Sequence, residues 1–199
     1  MNTYERIKQE YSQYSEDICS RHIILDRYME KFSIPRDGYW FEFGVHTGAT
    51  INTLSSFCDK IYGFDSFEGL PEYWDVGYPK GKFKLNTHPK VKDNVELVVG
   101  WFDETLPKFI EENNIDKINF INIDCDLYQS TKTVFKNLGK YIRPGTYIYF
   151  DEFLVKTSPI EDNNEAKAFA EFLDEYNLDY DIISSTGKNW PIQTLVKIK

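Results

Sequence analysis

The chain has 199 residues, enough for one domain with a single substantial core, and its composition is that of a globular fold rich in Tyr and Phe. Its net charge of -9 argues against a nucleic-acid partner, because phosphate binding rests on clustered Lys and Arg; Lys80, Lys82 and Lys84 alternate in one stretch that reads as a solvated loop. Cys19, Cys58 and Cys125 are dispersed without metal-ligand spacing, and no run is long and apolar enough to cross a bilayer, so a cytoplasmic protein with no membrane partner is expected.

Residues 4–32 carry apolar positions at helical spacings, among them Ile23, Ile24, Tyr28 and Phe32, and the pattern stops before Pro35 and Gly38. This predicts one or two helices forming an amino-terminal cap over residues 1–36. Short apolar runs at 39–44, 60–65, 95–100, 118–124 and 146–151 read as strands buried on both faces. Between them, 49–57, 105–113 and 130–141 read as helices; 165–176 follows as another, before final strands at 179–184 and 192–198 joined by a polar loop with Gly187 and Pro191. Such alternation implies an α/β fold built on a seven-stranded, mostly parallel sheet with helices on both faces, in one domain spanning 1–199.

Residues 66–94 break this rhythm. The stretch holds Pro71, Gly77, Pro79, Gly81 and Pro89 together with Phe67, Tyr73, Trp74, Tyr78 and Phe83. Loops of this length inside a compact domain tend to be functional, and so many aromatics argue against disorder, which predicts a lid over an acceptor. The amino-terminal helix is expected to help cover the same place.

The first strand ends in Glu42-Phe43-Gly44-Val45-His46-Thr47-Gly48, and Asp65 ends the second. A glycine turn followed about twenty residues later by an acid is the spacing that sets a cofactor's ribose beside the second strand. The pattern is not the Gly-x-Gly-x-x-Gly of dinucleotide binders, so an adenosyl cofactor without a pyrophosphate fits better; a merely structural turn is the competing reading. Asp124-Cys125-Asp126 and Asp151-Glu152 end the fourth and fifth strands and have no place in that cofactor pattern.

The stretches FEFGVHTGATI, YGFDSFEGLPE, GWFDETLP, INIDCDLYQST and PGTYIYFDEF, followed by NEAKAFAEF, resemble class I S-adenosylmethionine-dependent methyltransferases. Within that class they resemble the macrocin O-methyltransferases, which act on sugar hydroxyls. The resemblance covers most of the chain and implies the Rossmann-like class I methyltransferase fold. It also implies that Glu42, Gly44 and Gly48 form the loop at the methionine end, with Thr50 near the carboxylate. Asp65 would hold the ribose, Ser66 and Phe67 would border the adenine, and Trp101, Phe102 and Asp103 would complete its pocket. Core filling is the alternative for Trp101 and Phe102.

A sugar hydroxyl is a weak nucleophile, and a hard cation held by carboxylates would favour its deprotonated form. The resemblance implies Mg2+ on Asp124, Asp151 and Glu152, with Glu152 longer than the side chain common there. Alternatively Asp124 binds the cofactor's amino group while Asp151 and Glu152 cap a turn. The lysine that catechol-type enzymes carry three residues after the fourth-strand aspartate is Leu127 here, which leaves Asp126 and His88 as candidate bases. His46 reads as a loop residue beside the cofactor and His22 as a helix residue without a chemical role. The expected partner is a sugar or glycosylated small molecule, and a homo-oligomer stays open. A cofactor-binding module without catalysis and a nicotinamide-dependent oxidoreductase are the rival classes.

Overall fold

The computed structural model describes residues 1–13, 29, 31–154, 165–186 and 192–199. Residues 14–28 and 30 of the expected amino-terminal cap, among them Cys19, His22, Ile23, Ile24 and Tyr28, and the loop with Gly187 and Pro191 lie outside the described residues.

Helix α1 (Thr3–Gln13) precedes β1 (Tyr39–Phe43), α2 (Ala49–Leu54), β2 (Ile61–Asp65), β3 (Val95–Val99), α3 (Phe102–Glu112) and β4 (Ile118–Ile123). Then follow α4 (Tyr128–Leu138), β5 (Tyr147–Leu154), α5 (Glu165–Tyr176), β6 (Tyr180–Ser185) and β7 (Ile192–Ile198). The seven strands form one sheet in the order β3-β2-β1-β4-β5-β7-β6, parallel except that β7 runs against both β5 and β6. The order reverses between β1 and β4, so the ligand-binding crevice of such sheets lies beside the ends of β1 and β4.

Strand alternation divides the core in two. Phe41, Phe43, Ile121, Ile123, Ile148 and Phe150 pack on one face with α3, α4, α5 and α1. Trp40, Phe120, Tyr147 and Tyr149 pack on the other with Ile51 and Leu54 of α2. β4 is buried at every position, which is why its sequence is an unbroken apolar run apart from Asn119 and Asn122.

Helix α1 packs on the core: Ile7 and Tyr11 are buried, the Tyr11 ring lies 5.0 Å from Phe153, and its hydroxyl is 2.7 Å from Thr194 Oγ1. β5, for its part, does not stop at Asp151 but runs on to Leu154, paired with β7 through a register shift between Phe150 and Leu154. Asp151 and Glu152 therefore sit in a bulged stretch of strand, and bulges re-aim the side chains they carry.

The segment between β2 and β3 folds back on itself. Leu85 N donates to Phe67 O at 3.0 Å, Leu70 N to Lys82 O at 2.8 Å, Gly81 N to Leu70 O at 2.9 Å and Trp74 N to Tyr78 O at 3.0 Å. These bonds make residues 67–85 an irregular hairpin whose tip is the Asp75–Tyr78 bridge. Lys84 and Glu68 pair across its base.

Candidate active site

A cavity of about 810 Å³ opens at the carboxyl ends of the parallel strands. Gly44 leaves β1 at φ +92°, and a Cβ there would come within 1.9 Å of the Asp124 carbonyl oxygen. Only glycine lets the first loop pass this close to the end of β4. Asp65, at the end of β2, accepts from the Val45 N–H at 2.9 Å and the His46 N–H at 2.8 Å on one carboxylate oxygen, and from the Phe67 N–H at 2.7 Å on the other. The acid twenty residues after the turn is thus the clasp that shapes the turn. A carboxylate offers about four acceptor sites, so capacity remains for a ligand hydroxyl.

Gly44, Thr50, Asp65, Ser66, Trp101, Phe102 and Asp103 all line the cavity, as do Asp124, Asp126, Asp151 and Glu152. Phe102 also stands edge-on to Phe43 at 5.4 Å, so it packs on the core and lines the cavity at once. Glu42 is fully buried in β1, accepts from Asn122 Nδ2 at 3.1 Å and does not line the cavity. Gly48 caps α2 at φ +78° behind the lining residues. Phe67 is buried in the second core cluster.

His88 is not brought to the cavity: it is exposed and its ring rests on Phe67 at 4.8 Å. Of the two candidate bases, only Asp126 lines the cavity. His88→Ala should accordingly keep turnover and cofactor affinity within about twofold of wild type, the range of a surface change remote from chemistry. A loss of a hundredfold in kcat with unchanged melting temperature would return His88 to the chemistry.

The implied metal is not matched by geometry. Among the described residues, no three His, Cys, Asp or Glu side chains gather where they could hold an ion. Asp151 Oδ1 is taken up by Gln193 Nε2 at 2.7 Å and the Tyr149 hydroxyl at 3.4 Å, which turns it toward β7. The oxygen-only donors have the chemistry a hard cation takes, but Asp124, Asp151 and Glu152 do not converge as a set of three.

A further acid escaped the sequence reading. Glu165, the first residue of α5, is fully buried; its Oε2 accepts from the Glu152 N–H at 3.3 Å and its Oε1 has no hydrogen-bond partner. Burial pushes its pKa well up, reinforced by the charges of Glu152, Asp126, Asp124 and Asp151. The same surroundings hold the buried Cys125 thiol protonated, burial first and Glu165 next, so Cys125 is no nucleophile. An acid in a helix's first turn looks like ordinary dipole complementation, and nothing local marked Glu165 as inward-facing.

Because Glu165 titrates higher folded than unfolded, its contribution to stability is full below the ordinary carboxylate pKa and is lost as pH rises toward the folded value. Glu165→Gln removes that loss. Its melting-temperature advantage over wild type should widen as pH rises above the ordinary carboxylate range, each kcal/mol reading as about 2–4 °C at this chain length. Parallel melting-temperature curves for the two proteins would show that Glu165 is not held protonated.

Comparison with known proteins fits this architecture. A demethyldecarbamoylnovobiocin O-methyltransferase of Streptomyces niveus is 27% identical over 142 residues, covering 61% of this chain and 48% of that protein. An 8-demethyl-8-(2,3-dimethoxy-alpha-L-rhamnosyl)-tetracenomycin-C 4'-O-methyltransferase of Streptomyces olivaceus is 27% identical over 115 residues, covering 48% of this chain and 42% of that one. The chain thus spans about half the length of the curated relatives it matches. Among solved structures, the calicheamicin methyltransferase CalS11 has a TM-score of 0.65 at 21% identity over 98% of this chain and 91% of its own. The O-methyltransferase NovP has a TM-score of 0.59 at 18% identity, over 98% and 78%. Both share the fold. Residues 41–153 match the family described as a methyltransferase domain, more than half of the chain, and the chain belongs to that family.

Proposed function

We propose that the protein is an S-adenosylmethionine-dependent O-methyltransferase that methylates a hydroxyl of a sugar or glycosylated small molecule, as the finer resemblance to macrocin O-methyltransferases implies. The observation that carries the reading is one cavity lined by both the glycine loop clasped by Asp65 and the acids just past β4 and in the bulged stretch of β5. The name of the Streptomyces olivaceus relative, which includes a rhamnosyl group and a 4'-O position, supports a sugar acceptor.

The cofactor supplies an activated methyl on a positively charged sulfur. Gly44 and Asp65 shape the loop that would receive its methionine end and ribose, and Trp101 and Phe102 offer apolar faces to the adenine. When bound, the cofactor's methyl would pass to the acceptor oxygen with the neutral thioether as leaving group, so the protein's own part is to align the two and take the hydroxyl proton on a base. Asp126 takes that proton. It lies just past β4, lines the cavity and holds φ +65°, a left-handed conformation that aspartate tolerates better than most residues. The remaining acceleration comes from holding oxygen, carbon and sulfur in line. No step is routed through a metal, since the described acids do not form a site for one.

Thermal shift separates this reading from a nicotinamide enzyme. S-adenosylhomocysteine should raise the melting temperature by RT ln(1 + [L]/Kd) scaling while NAD does not. Stabilisation by NAD alone would overturn the proposal.

A further inference from the structure

Of the aromatics in the segment after β2, Phe83 lines the cavity, while Phe67, Tyr73, Trp74 and Tyr78 do not. Phe83 is also held at φ +70°, a conformation costly for any residue with a Cβ and an outlier for a bulky one. The residue is 37% exposed, so core burial does not account for the strain. Phe83 is the third residue of the turn that Lys84 N closes on Gly81 O at 3.3 Å, a left-handed position that glycine ordinarily fills, as Gly81 does at φ +81° in the preceding turn closed by Lys82 N on Pro79 O at 3.0 Å. The hairpin holds the conformation from both flanks: Lys82 O accepts from Leu70 N at 2.8 Å, and Leu85 N donates to Phe67 O at 3.0 Å.

A second strained ring meets it. His46, in the glycine loop, sits at φ +45° with its N–H on Asp65, lines the same cavity, and stands edge-to-face with Phe83 at 5.6 Å and 68°. Two left-handed residues from separate segments thus converge to set one aromatic face into the cavity that also holds Asp126. Strain kept at such a place points to function. A flat apolar face beside polar acids suits a ring with apolar C–H groups on its face and hydroxyls at its edge, which is a pyranose.

We propose that Phe83, braced by His46, is the platform that selects the acceptor by packing on the face of its sugar ring. This rests on the sugar-methylation reading above. The probes are TDP-rhamnose and p-nitrophenyl α-L-rhamnopyranoside, which separate a nucleotide-linked from an aglycone-linked sugar, with protocatechuate as the non-sugar arm. In whichever rhamnoside arm wild type turns over, Phe83→Ala should raise KM about tenfold with kcat and S-adenosylhomocysteine affinity held within about twofold, and Phe83→Tyr should restore KM.

Phe83→Gly, which relieves the left-handed strain, should raise KM equally without lowering the melting temperature. Trp74→Ala, outside the cavity, should lower the melting temperature and leave KM alone. If wild type methylates a rhamnoside and the Phe83→Ala and Phe83→Gly proteins keep its KM, the platform is wrong while the sugar reading stands. If wild type methylates protocatechuate and neither rhamnoside, the sugar reading fails and takes the platform with it.

Discussion

In calorimetry, Asp65→Ala binds S-adenosylhomocysteine roughly ten- to a hundredfold more weakly than the wild-type protein, the consequence of losing charge-assisted hydrogen bonds of about 1.5–3 kcal/mol. Two effects add. The carboxylate loses any bond to the ligand itself, and the Val45, His46 and Phe67 amides that it gathers lose their acceptor, so the loop must be ordered again on binding. The second effect distinguishes this account from a simple ribose contact: hydrogen exchange at Val45 and His46 should quicken in the ligand-free Asp65→Ala protein. Unchanged affinity together with unchanged exchange would show that the loop and the cofactor are held elsewhere.

Turnover should fall by about 10²–10⁴-fold in Asp126→Asn, the range of a lost general base, while S-adenosylhomocysteine affinity stays within about threefold. Asparagine is near in shape and tolerates left-handed backbone as aspartate does, so the φ of +65° is kept and misfolding is not the cause. Single-turnover measurements with acceptor in excess place the loss in the chemical step. A change confined to KM would instead make Asp126 an acceptor-binding residue, and the proton would then leave by another route.

The strands were legible because parallel strands covered on both faces carry near-continuous apolar runs; β1, β2, β4 and β7 follow the sequence reading within a residue or so. Helix α5 was bounded correctly by its amphipathic spacing, whereas α3 begins at Phe102, ahead of the expected start, because its first turn looks like part of an aromatic loop. The far end of β5 was misjudged for a reason of range. Asp151-Glu152 reads locally as a terminus, and only pairing with β7, more than forty residues away, carries the strand on to Leu154.

The hairpin of residues 67–85 was hidden for a similar reason. Its bonds link positions without periodic side-chain pattern, and its Gly and Pro residues punctuate instead of alternating. Within the site, the glycine turn, Asp65 and the acids of β4 and β5 were visible as types at fixed spacing. That Asp65 clasps the loop, that Asp151 turns to Gln193, and that Glu165 faces the acids from α5 are tertiary facts with no local signature.

The proposed methyl transfer from S-adenosylmethionine to a sugar hydroxyl is read out most directly in its product. Incubating the protein with S-[methyl-¹³C]adenosylmethionine and a panel of nucleotide sugars, glycosides and catechols, then locating the label by heteronuclear NMR, identifies the acceptor atom. The account predicts equal formation of S-adenosylhomocysteine and a ¹³C-methoxy group on a sugar ring carbon. A label found on a phenolic oxygen or on nitrogen, or none on any sugar while S-adenosylhomocysteine still binds, would contradict it.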